Sequence, residues 1–226
     1  MAEVIKTVIG FLSGALGNMV FKERLGKHSV SMRPRSFTAG TDEAAIKRRA
    51  RFGLTGQFTT AVNANQYLKR FWDLATPPTM TPFNGIFRYN YKHITDADVS
   101  NTVALVPSVG FSVSEVSIEL TRTNCTVVLN PIGTLSDIDT GVETTIQMAV
   151  VVHCSNPLDP KFEKHHFIPL KSGNVILNLT TELTFNIPLN DYQTQYFDRY
   201  TDHKGFFAFI TLDADLKGIR YSNTLQ

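Results

Sequence analysis

The chain has 226 residues, 42% apolar and 19% charged, with a net charge of +2. That length buries one sizeable core, or a small accessory unit plus one β-rich domain, and the balance excludes general disorder. Two cysteines exclude a disulfide scaffold, and no apolar run reaches the ~20 residues that span a bilayer as a helix.

Val4–Leu16 sets Ile5, Val8, Ile9, Leu12 and Leu16 on one helical face, which predicts a short helix broken within Ser13–Asn18. Glu3, Lys6 and the glycines dilute this run, and no small-residue cleavage site closes it. The reading is a chain made in the cytoplasm without a cleaved signal peptide. Met19–Lys22 and Lys27–Met32 flank Glu23-Arg24-Leu25-Gly26, a hairpin with Gly26 where positive φ is needed. Arg33-Pro34-Arg35 ends it, because proline cannot donate to a ladder.

Thr41, Asp42 and Glu43 ahead of Ala44-Ala45 predict a helix start. Ile46, Ala50, Leu54 and Phe58 then recur every four residues, crowded by Lys47, Arg48, Arg49 and Arg51. A second helical stretch, Asn65–Ala75, offers Leu68, Phe71, Trp72 and Ala75 and stops at Pro77-Pro78. Thr76–Asn84 reads as a linker.

Beyond about Asn101 the period becomes that of strands: Ala104–Val113, Glu115–Arg122, Cys125–Leu129, Thr144–His153, His166–Leu170, Val175–Pro188, Gly205–Asp213 and Gly218–Ser222. The expected fold is mainly β, an antiparallel β-sandwich or barrel, preceded by a small α/β module of a hairpin and one or two helices. Three regions are expected: a basic arm, hairpin and helical module over 1–76, a linker over 77–100, and a β-rich domain over 101–226. Cys125 and Cys154 lie in apolar strand-like runs, so both are expected as buried thiols.

Gly10-Phe11-Leu12-Ser13-Gly14, Gly17-Asn18, Val20, Gly26-Lys27, Val30, Arg33-Pro34, Thr41, Ala44, Arg49 and Phe52 form a spaced signature over roughly the first quarter of the chain. That block resembles a domain-of-unknown-function family found mainly in Bacteroidota, with a fixed N-terminal signature and a variable β-rich remainder. Ala15 stands where members often carry a basic residue, and their Asn-Pro and Gln near the helix start are missing around Thr41–Ile46. The resemblance implies a shared N-terminal module and no activity, substrate or cofactor.

Catalytic and metal motifs are poorly represented. His153, Cys154, His165 and His166 are the one metal-like cluster, without ligand spacing, and adjacent histidines on a strand face opposite ways. Asp137/Asp139, Asp159/Glu163 and Asp213/Asp215 do not continue into calcium loops and read as solvated turns. There is no G-x-S-x-G elbow, and Gly10, Gly14 and Gly17 lack the Gly-Lys-Ser/Thr end of a phosphate loop. The expectation is a non-enzyme with no cofactor and no metal.

Charge carries the remaining signal. Lys22 to Arg51 holds nine Lys/Arg against three acids; residues 1–100 hold 14 basic and 7 acidic side chains, and residues 101–226 hold 8 and 13. A chain so polarised needs a partner of the right sign. The preferred reading is a structural protein that self-assembles into a ring, shell or filament, a virion or phage-derived component. In it an arm over Val4–Met32 docks on the acidic β-rich body of another copy. Phe11, Phe21, Phe52 and Phe58 are the candidate apolar anchors; Lys22, Arg24, Lys27, Arg33, Arg35, Lys47, Arg48, Arg49 and Arg51 are the candidate docking cations. Partners are other copies and other structural proteins of the same particle. The alternative is non-sequence-specific nucleic-acid binding through the same cations. A third reading, an enzyme or carbohydrate-binding sandwich, requires a concave aromatic face, with Tyr89, Tyr91, Tyr192, Tyr196 and Tyr200 as its residues.

Overall fold

A computed structural model describes residues 2–3, 14–24, 26–33, 36 and 38–226, with the backbone alone at residues 2, 3 and 24. The chain divides into two compact units, 1–46 and 47–226. The first holds β1 (Ala2–Glu3), β2 (Gly14–Leu16), β3 (Met19–Arg24) and β4 (Lys27–Met32), an antiparallel sheet in the order β1-β4-β3-β2. Its turns sit where glycine supplies positive φ: Gly17 at +56° between β2 and β3, and Gly26 at +73° between β3 and β4. The hairpin read from sequence is present. The helix read over 4–16 is not, where it is described: Gly14–Leu16 is a strand, entered through Gly14 at φ +108°, and residues 4–13 lie outside the described residues.

The helix read from Thr41 begins one residue later, because the Asp42 carboxylate accepts from the Ala45 amide at 3.0 Å. It forms α1 (Glu43–Ala64), buried mainly in its second half through Leu54, Phe58, Ala61 and Val62. In α2 (Gln66–Ala75) the Asn65 side chain caps the Tyr67 and Leu68 amides, and the helix stops at Thr76 before the prolines. α3 (Pro82–Asn90) is capped by the Thr81 hydroxyl on the Asn84 amide, and a 3-10 turn follows over Tyr91–His93.

The β region comprises β5 (Glu115–Leu120), β6 (Asn124–Leu129), β7 (Thr145–Pro157), β8 (His165–Lys171), β9 (Val175–Ile176), β10 (Leu183–Pro188), the short helix α4 (Asp191–Phe197), β11 (Tyr200–Leu212) and β12 (Gly218–Tyr221). One sheet runs β10-β6-β5, and the other β12-β11-β7-β8 with β9 also on β7; all these strand pairs are antiparallel. The protein is thus mainly β with a few helices, as its sequence predicts, and is not a closed barrel. Two predicted strands differ. Ala104–Val113 is irregular, pinned by contacts from Asn90, Asn223 and Thr224, and Val175–Pro188 is interrupted between β9 and β10.

The long β7–β11 pair is buried on both faces. Ala149, Val151, Phe206, Ala208 and Ile210 pack with Leu54, Phe58, Val62, Leu68, Trp72 and Ile86 of the helices. Met148, Val150, Val152, Phe207 and Phe209 pack with Val127, Leu129, Phe185 and Ile187 of the smaller sheet. The second unit therefore has three layers: helices, the larger sheet and the smaller sheet. This relocates the expected boundaries. α2 and the segment 77–100, read as module and linker, share one core with the sheets through Leu68, Phe71, Ile86, Ile94 and Val99. Both cysteines are buried free thiols, as read, and burial pushes Cys125 up to about 11 and Cys154 up to about 12.

Phe58 is fully buried, edge-on to Phe167 at 5.7 Å and Phe206 at 5.9 Å, so it joins α1 to the larger sheet. It is therefore a core residue and not a docking anchor. Phe58→Ala should cost about 3–5 kcal/mol in urea unfolding; a loss below about 1 kcal/mol contradicts this placement.

Candidate functional site

In an antiparallel ladder, paired residues share a face. Registers Leu16↔Met19, Met19↔Met32 and Phe21↔Val30 therefore gather five apolar side chains on one face of the N-terminal sheet. Ala15, Val20, Lys22, Lys27, Ser29 and Ser31 share the other. The apolar face is open: Leu16 is 63%, Met19 40% and Met32 69% exposed, while Phe21 and Val30 are half-buried. Among the described residues up to 46, Ala45 alone is buried, so none of the described strand residues of this sheet is. Sheets of this size need an apolar cover on one side to be stable.

Sequence-predicted residues separate into three groups. Phe21, Lys22, Lys27 and Arg33 belong to the first unit, and the three cations are exposed. Phe11, Arg35 and the side chain of Arg24 lie outside the described residues. Lys47, Arg48, Arg49 and Phe52 are exposed on α1. Arg51 has a structural role instead: its Nε donates to the Tyr91 carbonyl at 2.9 Å, and its guanidinium lies 4.2 Å over the Tyr91 ring. It clamps α1 to the turn after α3. Phe52, 62% exposed, touches Phe87 at 4.8 Å, and Phe83, Phe87 and Tyr91 stack at four-residue spacing. The structure thus assembles an aromatic row from α1 and α3, a grouping that sequence spacing alone does not expose.

Charge is distributed differently from the two-part division of the sequence. Residues 1–46 carry six basic and four acidic side chains, residues 47–100 eight and three, and residues 101–226 eight and thirteen. Most of the positive excess therefore lies in the helical layer of the second unit.

His153 is almost fully buried, its ring stacked on Phe167 at 4.8 Å and its Nε2 3.0 Å from His165 Nδ1. Lys204 Nζ donates to the Val99 carbonyl at 3.0 Å and pairs with Asp98 at 3.5 Å. Cys154 is the next residue of β7 and belongs to the opposite core, so the sequence cluster is divided between two faces. Among the described residues, no three His, Cys, Asp or Glu side chains converge to hold a metal.

Of the five tyrosines weighed as a platform, Tyr89 and Tyr91 sit at the end of α3. Tyr192, Tyr196 and Tyr200 lie at α4 and the start of β11. His166 stacks on Tyr196 at 4.0 Å, Arg199 covers Tyr196 at 4.7 Å, and Tyr200 is buried with its hydroxyl on the Glu163 carbonyl. Among the described residues, no ring contact joins the two groups. Asp139, Asp159 and Asp213 accept amides from their own turns, consistent with a loop role. Glu143 was not singled out by sequence. It is buried, accepts from the Thr211 hydroxyl and the Asp139 amide, and pairs with Arg220 Nε at 3.2 Å.

An open cavity of about 610 Å³ lies between residues 109–112, residues 132–137 and β12. One of about 480 Å³ lies along α2 and α3, and one of about 260 Å³ between α1 and β8. No protein-family model, curated protein or solved structure matches this chain.

Burial and then the neighbouring His165 push the pKa of His153 down to about 4, with Asp98 pulling the other way and Lys204 adding a smaller push downward. The unfolded chain therefore takes up a proton near pH 6.5 that the folded chain refuses until about pH 4. The contribution of His153 is complete above pH 6.5 and is lost as the pH drops towards 4. Urea midpoints measured between pH 4 and 8 should show this loss, and His153→Phe should make it shallower, the remainder coming from His165, His166 and His203, whose pKa values burial also lowers. An unchanged slope in that variant assigns the loss to other groups.

Proposed function

We propose that this chain is a non-enzymatic structural subunit that self-assembles, the N-terminal sheet of one copy docking on the β-rich body of another. The observation that carries the reading is the open apolar face of Leu16, Met19, Phe21, Val30 and Met32 on a sheet of which no described strand residue is buried. Burying what Leu16, Met19 and Met32 still expose is worth roughly 1–2 kcal/mol each, which offsets part of the cost of association. Sheet and body are different patches, so the contact is heterologous and propagates into a ring, shell or filament. Lys22 and Lys27 lie on the opposite face of the sheet, so they act on the acidic half of the next copy, residues 101–226, by long-range attraction and leave the contact itself to the apolar side chains. A virion or phage-derived particle is the setting such a subunit fits.

Light scattering of the nuclease-treated chain should show particles much larger than the 25.2 kDa monomer. Phe21→Asp with Met32→Asp should reduce them to monomers while leaving the urea midpoint of the second unit unchanged. A wild-type chain that is monomeric at every concentration contradicts the reading.

A second reading, nucleic-acid binding, is favoured by one observation: the aromatic row of Phe52, Phe83, Phe87 and Tyr91, one member of which stands on α1, the helix that also carries the exposed Lys47, Arg48 and Arg49. Bases stack on such rings for about 1–3 kcal/mol each. Under this reading Phe52→Ala weakens binding of a single-stranded oligonucleotide, followed by fluorescence anisotropy, by about 5- to 100-fold. Anisotropy that stays flat with the wild-type chain excludes it.

A further inference from the structure

We infer that the cavity of about 480 Å³ along α2 and α3 binds a small organic oxyanion, a phosphate or carboxylate group carried on an apolar body. The site is lined by the second unit and stands independently of the self-assembly reading. Charge selects the class of ligand. Arg88 and Lys92 line the cavity, and no Asp or Glu does. The other two cavities make no such choice. The 610 Å³ one offers Asp137 and Arg220, and the 260 Å³ one Glu163 beside His166.

Both cations are available. They are exposed, and among the described residues neither is paired with a carboxylate. They stand four residues apart across the end of α3, a spacing at which like charges repel. A bound anion removes that repulsion and takes charge-assisted hydrogen bonds from both side chains, the Arg88 fork being matched to a phosphate or carboxylate. Tyr89 belongs to the same lining, and its hydroxyl has no hydrogen-bond partner among the described residues, so it can donate to the same group.

Most of the remaining lining is apolar and fixed. Trp72, Ala75, Pro77, Met80 and Pro107 supply hydrocarbon, which favours an anion carrying an apolar group over a bare inorganic ion. The Trp72 indole donates to the Leu105 carbonyl at 2.8 Å and meets the Tyr89 ring edge-on at 5.7 Å. Asn90 exchanges hydrogen bonds with the Ala104 backbone, donating at 3.0 Å and accepting at 2.8 Å, which holds the segment leading to Pro107. A Cβ at Gly85 would overlap the Thr76 hydroxyl, so glycine lets α3 close against the end of α2. A wall fixed in this way loses little conformational freedom on binding.

Trp72 is the only tryptophan of the chain, so its emission reports on this cavity. Equilibrium dialysis of the full chain against phenyl phosphate, benzoate, inorganic phosphate and benzyl alcohol, with Trp72 emission followed in parallel, tests the inference. Saturable binding of phenyl phosphate or benzoate that shifts Trp72 emission is expected, about tenfold or more tighter than that of inorganic phosphate or benzyl alcohol. The tighter of the two aryl anions identifies the oxyanion. Arg88→Gln/Lys92→Gln, at exposed positions, should weaken that binding about tenfold or more without lowering the urea midpoint. Affinity weaker than about 10 mM for both aryl anions overturns the inference. So does binding that survives the double variant, which places the anion elsewhere. Inorganic phosphate or benzyl alcohol binding as tightly as the aryl anions also overturns it, the first by leaving the apolar lining without a role and the second by leaving the cations without one.

Discussion

Everything in the second unit depends on the pairing of β7 with β11, held in antiparallel register from Thr145↔Leu212 to Pro157↔Tyr200. An antiparallel sheet commonly leaves one face wet. Here both faces of the pair are apolar, so each requires a cover. The helices cover one side and the three-stranded sheet the other. Those layers consume the apolar surface of residues 47–226, apart from scattered side chains. In the N-terminal sheet none of the described strand residues is buried. Its apolar face stands in water, and a surface of that kind is what association removes.

The buried polar groups follow the same logic. Glu143 is tolerated under the larger sheet because Thr211, the Asp139 amide and Arg220 satisfy it. Trp72 and Asn90 are similarly satisfied by carbonyls of the irregular segment near 104–105, with the indole on Leu105 at 2.8 Å and the amide on Ala104 at 3.0 Å. That segment is shaped by side chains of distant elements, which is why a strand pattern over Ala104–Val113 did not become a strand. The same pinning fixes Pro107 in the wall of the cavity along α2 and α3.

What sequence could convey was local. Gly26 and the alternation around it specified the hairpin, and the continuous apolar run of β7 is the pattern of a strand buried on both faces. Two missed helices carried local signals as well: Thr81-Pro82 is a cap followed by proline at the first helical position, and Asn190 with Gln193 forms a capping box before α4. The prolines of Thr76–Asn84 were weighed as a break alone. What could not be read was tertiary. Ile46 and Ala50 stand on the same four-residue stripe as Leu54 and Phe58, yet the first two are exposed and the last two buried, because only the second half of α1 rests on the sheet. Arg51 looked like its basic neighbours until its partner, Tyr91, came from forty residues away. Likewise, two-part charge counting assigned to the arm an excess that belongs mainly to the helical layer.

In the proposed assembly the face of Leu16, Met19, Phe21, Val30 and Met32 is covered by another copy. Hydrogen–deuterium exchange of the amides of residues 14–33, followed through a dilution series, tests it directly. Slow exchange at high concentration that becomes fast on dilution, while β7 and β11 stay protected throughout, is the predicted result. Exchange in 14–33 that is the same at every concentration contradicts it.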